Sequence, residues 1–298
     1  MDQPIQPPIK RDEILDCVIR QRGPVQTAAN GLQWRVCELE HKYLPTSRDA
    51  AGKSHPKTKY RAKLYDLSEF EANPRQWREK TSYLLRHADV CTRIGKHPNI
   101  AEHKMAFQDQ RDKRRWWVWD EWIDGAVTLE DRLNSGPLRG QELMRCMTGI
   151  AAGLQILHKN GIVRRDLSPK FVLLTEKRVV LTDFELAKLL DGSPTVRPTD
   201  RAKWEYEIYV APEANFETID SIQNGPTSWD LYSWAIIVAH AVSGRRPIDI
   251  LRARESLKEA AMPNSLRQFC LLCLQPQLDK DQARRRPVVF PPNLFTTQ

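Results

Sequence analysis

Two aspartates and one lysine carry most of the chemistry this 298-residue chain could do. Asp166 lies in Gly161-Ile-Val-Arg-Arg-Asp-Leu-Ser-Pro-Lys-Phe-Val-Leu-Leu174, and Asp183 follows seventeen residues later, in Val179-Val-Leu-Thr-Asp-Phe-Glu185. The apolar runs Phe171–Leu174 and Val179–Leu181 predict a short hairpin with one carboxylate before it and one after it. A carboxylate so placed can accept or orient the proton of an attacking hydroxyl. The other, offering hard oxygen, suits a phosphate-bound ion such as Mg²⁺. Lys63 sits mid-strand in Tyr60-Arg-Ala-Lys-Leu64. A buried strand holds an ammonium rigidly; an exposed one would make Lys63 an ordinary surface lysine.

The two aspartate segments resemble the H-R-D-L-x-x-x-x-N and D-F-G loops of the protein kinase family. The resemblance runs in order from about Trp34 to Pro287. Lys63 matches the lysine of V-A-I-K, and His97-Pro-Asn-Ile100 matches the H-P-N-I after the family's first helix. Glu121-Trp-Ile-Asp-Gly-Ala-Val-Thr-Leu-Glu-Asp-Arg-Leu133 is similar to the hinge whose backbone bonds adenine, with Asp120 near the back of that pocket. Ala211-Pro-Glu213 matches A-P-E, preceded by Tyr209, and Arg286 resembles the arginine that pairs with that glutamate. Asp230 and Ser233 match the D-x-x-S of the central helix, whose aspartate anchors the catalytic loop.

The resemblance implies an α+β, two-lobed protein-kinase-like fold, with a small β-rich N-lobe and a larger helical C-lobe. On that reading residues 1–25 form an N-terminal extension, 26–123 the N-lobe and 124–298 the C-lobe. Lys63 and Asp166 are the candidate catalytic residues. Lys63, Glu121, Ile123 and Asp183 are the candidate ATP-binding residues, and Asp183 the ligand of Mg²⁺ or Mn²⁺. The likeness is to the Ser/Thr type and, loosely, to divergent kinase-like modules of large bacterial proteins.

The departures are as specific as the matches. No glycine-rich phosphate loop is recognisable: Gly31 stands alone before Gln33-Trp-Arg-Val-Cys37. Counting back from His97, the helix glutamate expected to pair with Lys63 falls at His87–Asp89, and Glu79 is about two turns too early. Arg164 stands for histidine, Ser168 for the γ-phosphate lysine, Phe171 for the asparagine that ligates a second metal, and Glu185 for glycine. Glu205-Tyr206 replaces Gly-Thr before Ala211. Lys170 and Glu185 are adjacent charges that could compensate.

Three readings follow: an ATP-dependent Ser/Thr kinase with reduced metal dependence, a pseudokinase that binds partners, and a nucleic-acid-associated regulator. The sites Ser193, Thr195 and Thr199 are candidates for phosphorylation in the first.

The elements that must position these residues are legible in part. Trp34, Val36 and Leu39 lie near a period of two, and Lys59–Tyr65, Lys104–Gln108 and Arg115–Ile123 read as further strands. A polar loop covers Thr46–Lys57, and helices are expected over Asp12–Arg20 and about Pro74–Ile94. Leu143, Met147, Ile150, Leu154 and Leu157 form one helical stripe, whereas Asp230–Val242 is apolar nearly all round, as a central helix would be.

Composition narrows the class. With 41% hydrophobic and 28% charged residues the chain is expected to be globular and cytoplasmic, without a signal sequence or membrane span. Its charge of +8, with clusters at Lys113–Arg115 and Arg284–Arg286, admits nucleic acid but reads better as a dispersed basic surface. Protein substrates or regulatory partners are the expected company. Of six cysteines only Cys270 and Cys273 are close in sequence, and their apolar neighbours predict a buried helical face rather than a zinc site. The chain stops soon after Pro287, where the resemblance places one more helix, as a piece of a larger protein would.

Overall fold

A computed structural model describes residues 13–27, 32–42, 58–191, 207–212, 227–275 and 286–295. The chain divides into two compact units. Beyond the N-terminal segment, the first comprises Leu32–Trp77 and His103–Ile123, and the second Arg78–Glu102 and Asp124 onward.

The first unit is one antiparallel sheet. Its strands are β1 (Glu13–Ile14), β2 (Cys17–Arg22), β3 (Gln26–Thr27), β4 (Gln33–His41), β5 (Lys59–Asp66), β6 (His103–Gln108) and β7 (Arg115–Glu121). They run β1-β2-β4-β5-β7-β6, with β3 also on β4. Ile14, Cys17, Cys37, Leu39, Ala62, Trp117 and Trp119 cluster as its core.

The helix expected over Asp12–Arg20 is instead the β1–β2 hairpin. Val18 and Ile19 are β-branched, and β2 finds a long partner in β4. The turn between Ile14 and Cys17 holds Leu15 and Asp16 at φ 45° and 59°, the twist a two-residue hairpin demands. Leucine is poorly suited to that conformation and is exposed there. Replacing Leu15-Asp16 by Asn-Gly is expected to raise stability by about 1 kcal/mol, read as an increased denaturation midpoint at unchanged slope.

The second unit begins within α1 (Pro74–Ile94), of which residues 78–94 belong to it. It continues with β8 (Val127–Thr128), α2 (Leu129–Asn134), α3 (Gly140–Lys159), β9 (Ile162–Val163), β10 (Val172–Leu174), β11 (Val179–Leu181) and β12 (Lys188–Leu189). Among the described residues three further α-helices follow: α4 (Thr227–Ser243), α5 (Ile250–Glu259) and α6 (Asn264–Cys273). No helix among the described residues is long and apolar enough to cross a membrane.

The expected stripe of α3 is buried throughout, and it lies so close to β11 that only glycine fits at two points. A Cβ on Gly149 would come within 2.5 Å of Val179 Cβ, and one on Gly153 within 2.7 Å of Leu181 Cδ1. Helix α4 is buried on all sides from Ser228 to Ala239, which explains its unbroken apolar sequence. Trp234 packs there against Phe269 and Phe290. Cys270 and Cys273 are buried on α6, and burial pushes the Cys270 thiol well up.

On α4, His240 shares a 2.7 Å hydrogen bond with the Tyr209 hydroxyl. Burial, aided by Arg246, pulls its pKa from 6.5 down to about 4. The unfolded chain therefore takes up the proton first, so stability is full above about pH 6.5 and falls as pH drops toward 4. Because the ring is part solvated, this contribution should be about 1–2 kcal/mol. Urea denaturation at pH 7 and pH 4.5 should show wild type losing that much more than His240→Gln.

Candidate functional site

In the second unit, the segment from Ile162 to Ala187 is held from three sides. Strands β10 and β11 form the hairpin, with Leu173 opposite Val180. His97-Pro-Asn-Ile fastens that hairpin: Leu181 donates to the Asn99 carbonyl at 2.8 Å, and Ala101 to the Leu181 carbonyl at 2.9 Å. The Asn99 side chain also donates to the Val179 carbonyl. These contacts tie residues 97–101, just after α1, to the hairpin of the second unit.

From below, Asp230 anchors the loop that carries Asp166. Its carboxylate, wholly buried, accepts from the backbone N–H groups of Arg164 at 2.8 Å and Arg165 at 2.7 Å. His158 Nε2 lies 2.7 Å from the same group. Ser233 donates to the Tyr209 carbonyl, tying the same helix to the segment before Ala211. The anchoring role expected of Asp230 is thus visible as geometry.

From the side comes α1. His87 Nδ1 accepts from the Phe184 N–H at 3.2 Å, and its ring stacks on Phe184 with centroids 5.6 Å apart. His87 stands in the His87–Asp89 window where the resemblance places a helix glutamate. Glu79 is exposed and instead contacts the Tyr83 hydroxyl.

Asp166 and Asp183 both belong to this framework. Asp183 is buried in left-handed backbone, φ 65°. Arg165 is left-handed as well, φ 71°. Such conformations in non-glycine residues persist only where surrounding bonds over-determine them. The feature least visible in the sequence is Arg164. Its side chain is entirely enclosed, contacts the Asp166 carboxylate, and donates to the Thr182 carbonyl at 3.1 Å. The guanidinium lies 5.3 Å from the Phe171 ring and 5.2 Å from that of Phe184. Burial pulls Arg164 down to about 10, against the pull of Glu185, Asp183 and Asp230, so it stays charged at neutral pH.

A second group of cations adjoins it. Arg86, Arg165 and Lys188 are all buried. Burial brings Arg165 down to about 9, with Arg86 adding repulsion against the attraction of Asp230. Burial, with Arg165, lowers Lys188 too. Ser168 is buried rather than extended toward solvent, so it offers no replacement for a long cation. Lys170 and Glu185 are half-buried, and the Glu185 charge acts on Arg164.

Lys63 lies in the first unit, on β5 between Val36 of β4 and Val118 of β7. It is buried, with its ammonium 4.1 Å over the Trp34 ring and 5.8 Å over Tyr65. No local sequence pattern encodes the aromatic contact; register creates it, because Trp34 is opposite Tyr65, two residues from Lys63. Glu121 ends β7 opposite Tyr60, and Ile123 follows the strand. Asp120 is buried beside His103 at 3.3 Å and Arg61 at 3.7 Å, which accounts for a carboxylate inside the sheet.

Arg286 donates to the Gln275 carbonyl and stacks 4.7 Å over Tyr232. Its expected partner Glu213 lies outside the described residues, as do Ser193, Thr195, Thr199, Glu205, Tyr206, Gly31, Arg284, Arg285 and the Thr46–Lys57 loop.

This arrangement of anchored loop, hairpin and buried aspartate has a sequence counterpart: the family described as "Protein kinase domain" matches residues 61–286. This chain belongs to the protein kinase family. Its kinase domain has the two-lobed α+β fold, a β-rich lobe and a helical lobe. It is similar to the probable serine/threonine-protein kinase PkwA of Thermomonospora curvata, 28% identical over 55% of this chain and 22% of that protein. It is also similar to the Drosophila melanogaster serine/threonine-protein kinase fused, at 29% over 68% of this chain and 24% of that one. U-box domain-containing protein 33 of Arabidopsis thaliana is 34% identical over 56% and 22% respectively. The chain thus spans about a quarter of the length of these relatives.

The donor set can be weighed against the metal the family uses. The Asp183 carboxylate is a hard oxygen donor that fits Mg²⁺ or Mn²⁺. Phe171, at the position of the second ligand, has no donor atom at all.

Proposed function

We propose that this kinase domain binds ATP with a divalent cation on Asp183, and that its phosphoryl transfer to Ser/Thr hydroxyls of proteins is strongly impaired. One observation carries the reading: the candidate base, Asp166, is in contact with the Arg164 guanidinium. A carboxylate already neutralised by a permanent cation is a weaker base toward a hydroxyl proton. On this reading Lys63 meets the α/β-phosphates, its position set by the Trp34 and Tyr65 rings. The hinge backbone at Glu121 and Ile123 bonds the adenine. Asp183 would hold the cation, which would offset the charge of the phosphates. The domain then acts mainly through protein partners that sense the nucleotide-bound state.

A second reading, an active Ser/Thr kinase, is favoured by the intact scaffold under the loop. Asp230 holds the Arg164 and Arg165 backbone, and Asp183 sits in a buried, over-determined turn.

Thermal shift and transfer of labelled γ-phosphate separate the two. MgATP at a hundred times its Kd should stabilise the folded chain by about 2.7 kcal/mol. Asp183→Asn should remove most of that shift. Label transfer should be barely above that of Asp166→Ala. An absent thermal shift would overturn nucleotide binding, and robust Asp166-dependent transfer would favour the active kinase.

A further inference from the structure

We infer that Arg164 takes the electrostatic place of a second divalent cation, so that this domain loads nucleotide with one metal ion where the family's pattern provides for two. The inference rests on the nucleotide reading above and deepens it.

Three observations converge. Phe171 replaces the catalytic-loop asparagine that the family's pattern provides for a second ion, and a phenyl ring ligates nothing hard. The space against that ring is taken by a guanidinium, 5.3 Å from its centroid. The same guanidinium touches the Asp166 carboxylate and bonds the Thr182 carbonyl, directly before Asp183. Asp183, Glu185 and Asp230 all act on it electrostatically. The acidic groups that would draw in a second dication are thus partly neutralised from within. A further dication would meet a fixed positive charge and find one ligand fewer. Two changes in one loop, Phe171 and Arg164, compensate each other: the first removes the metal ligand, the second supplies charge. An arginine suits this because it stays charged when enclosed and can stack on both Phe171 and Phe184. Arg164 acts here through Asp166 and its neighbours, as a positioning residue.

The test counts ions rather than activity. The full chain, with one equivalent of a non-hydrolysable ATP analogue, is titrated with Mn²⁺. Bound ion is counted from the loss of the free Mn²⁺ electron paramagnetic resonance signal. The expected result is one Mn²⁺ per complex for wild type and for Phe171→Asn, and two for Phe171→Asn combined with Arg164→His. Two ions in wild type would overturn the inference. So would two in Phe171→Asn alone, because the ligand, not the guanidinium, would then be what matters. A folded, analogue-binding double variant that still takes one ion would overturn it as well. If that variant does not fold, the first two counts decide. Failure of the analogue to produce any thermal shift would instead remove the nucleotide reading, and is recognised before ions are counted.

Discussion

Asp230→Ala should be among the most damaging single substitutions in the helical unit, costing about 3–5 kcal/mol. The wholly buried carboxylate accepts from two backbone N–H groups and faces His158. Truncation leaves those donors in a dry interior with nothing to receive them. It also releases Arg165 from the bonds that keep it at φ 71°. Asp230→Asn should cost less, because one amide oxygen can still serve one N–H. Chemical denaturation of the three proteins checks the order. A loss below about 1 kcal/mol for alanine would mean that Asp230 does not hold the loop.

Arg164→Leu should come next, at about 3 kcal/mol or more. Leucine keeps the apolar contact with Phe171 and Phe184 but removes a buried cation from Asp166, Asp183 and Glu185. The Thr182 carbonyl loses its donor at the same time. Like-charged carboxylates left together in a poorly solvated loop repel one another. Arg164→His, which puts a planar imidazole with a donor between the phenyls, should be milder. The two losses should not add: both substitutions loosen the same loop, so Arg164→Leu/Asp230→Ala should fall short of the sum by about 0.5–3 kcal/mol. Additivity within error would show that the residues support separate structures.

The sequence encodes some of these residues' roles locally and others not. The loop and hairpin were legible because Asp166, Asp183 and the apolar strands between them are local in sequence. So was the central helix, whose apolar character has no polar face to confuse it. The β1–β2 hairpin was misread because its signal is short, and β2 becomes a strand through β4, some twenty residues away in sequence. His87 lay within the window where a glutamate was sought, but its role depends on the Phe184 amide, 97 residues further on. The Trp34–Lys63 contact follows from strand register, which no local pattern specifies.

The order of motifs along the chain thus determined the family and the pairing of a β-rich with a helical half, since each motif reports on its own few residues. Only the folded chain decided what the departures mean. Arg164 reads in sequence as a missing histidine. In three dimensions it is a buried charge set among carboxylates that enter from the loop, the hairpin's end and α4. Electrostatic energy depends on distance through space, and that distance is set by packing between segments far apart in the chain.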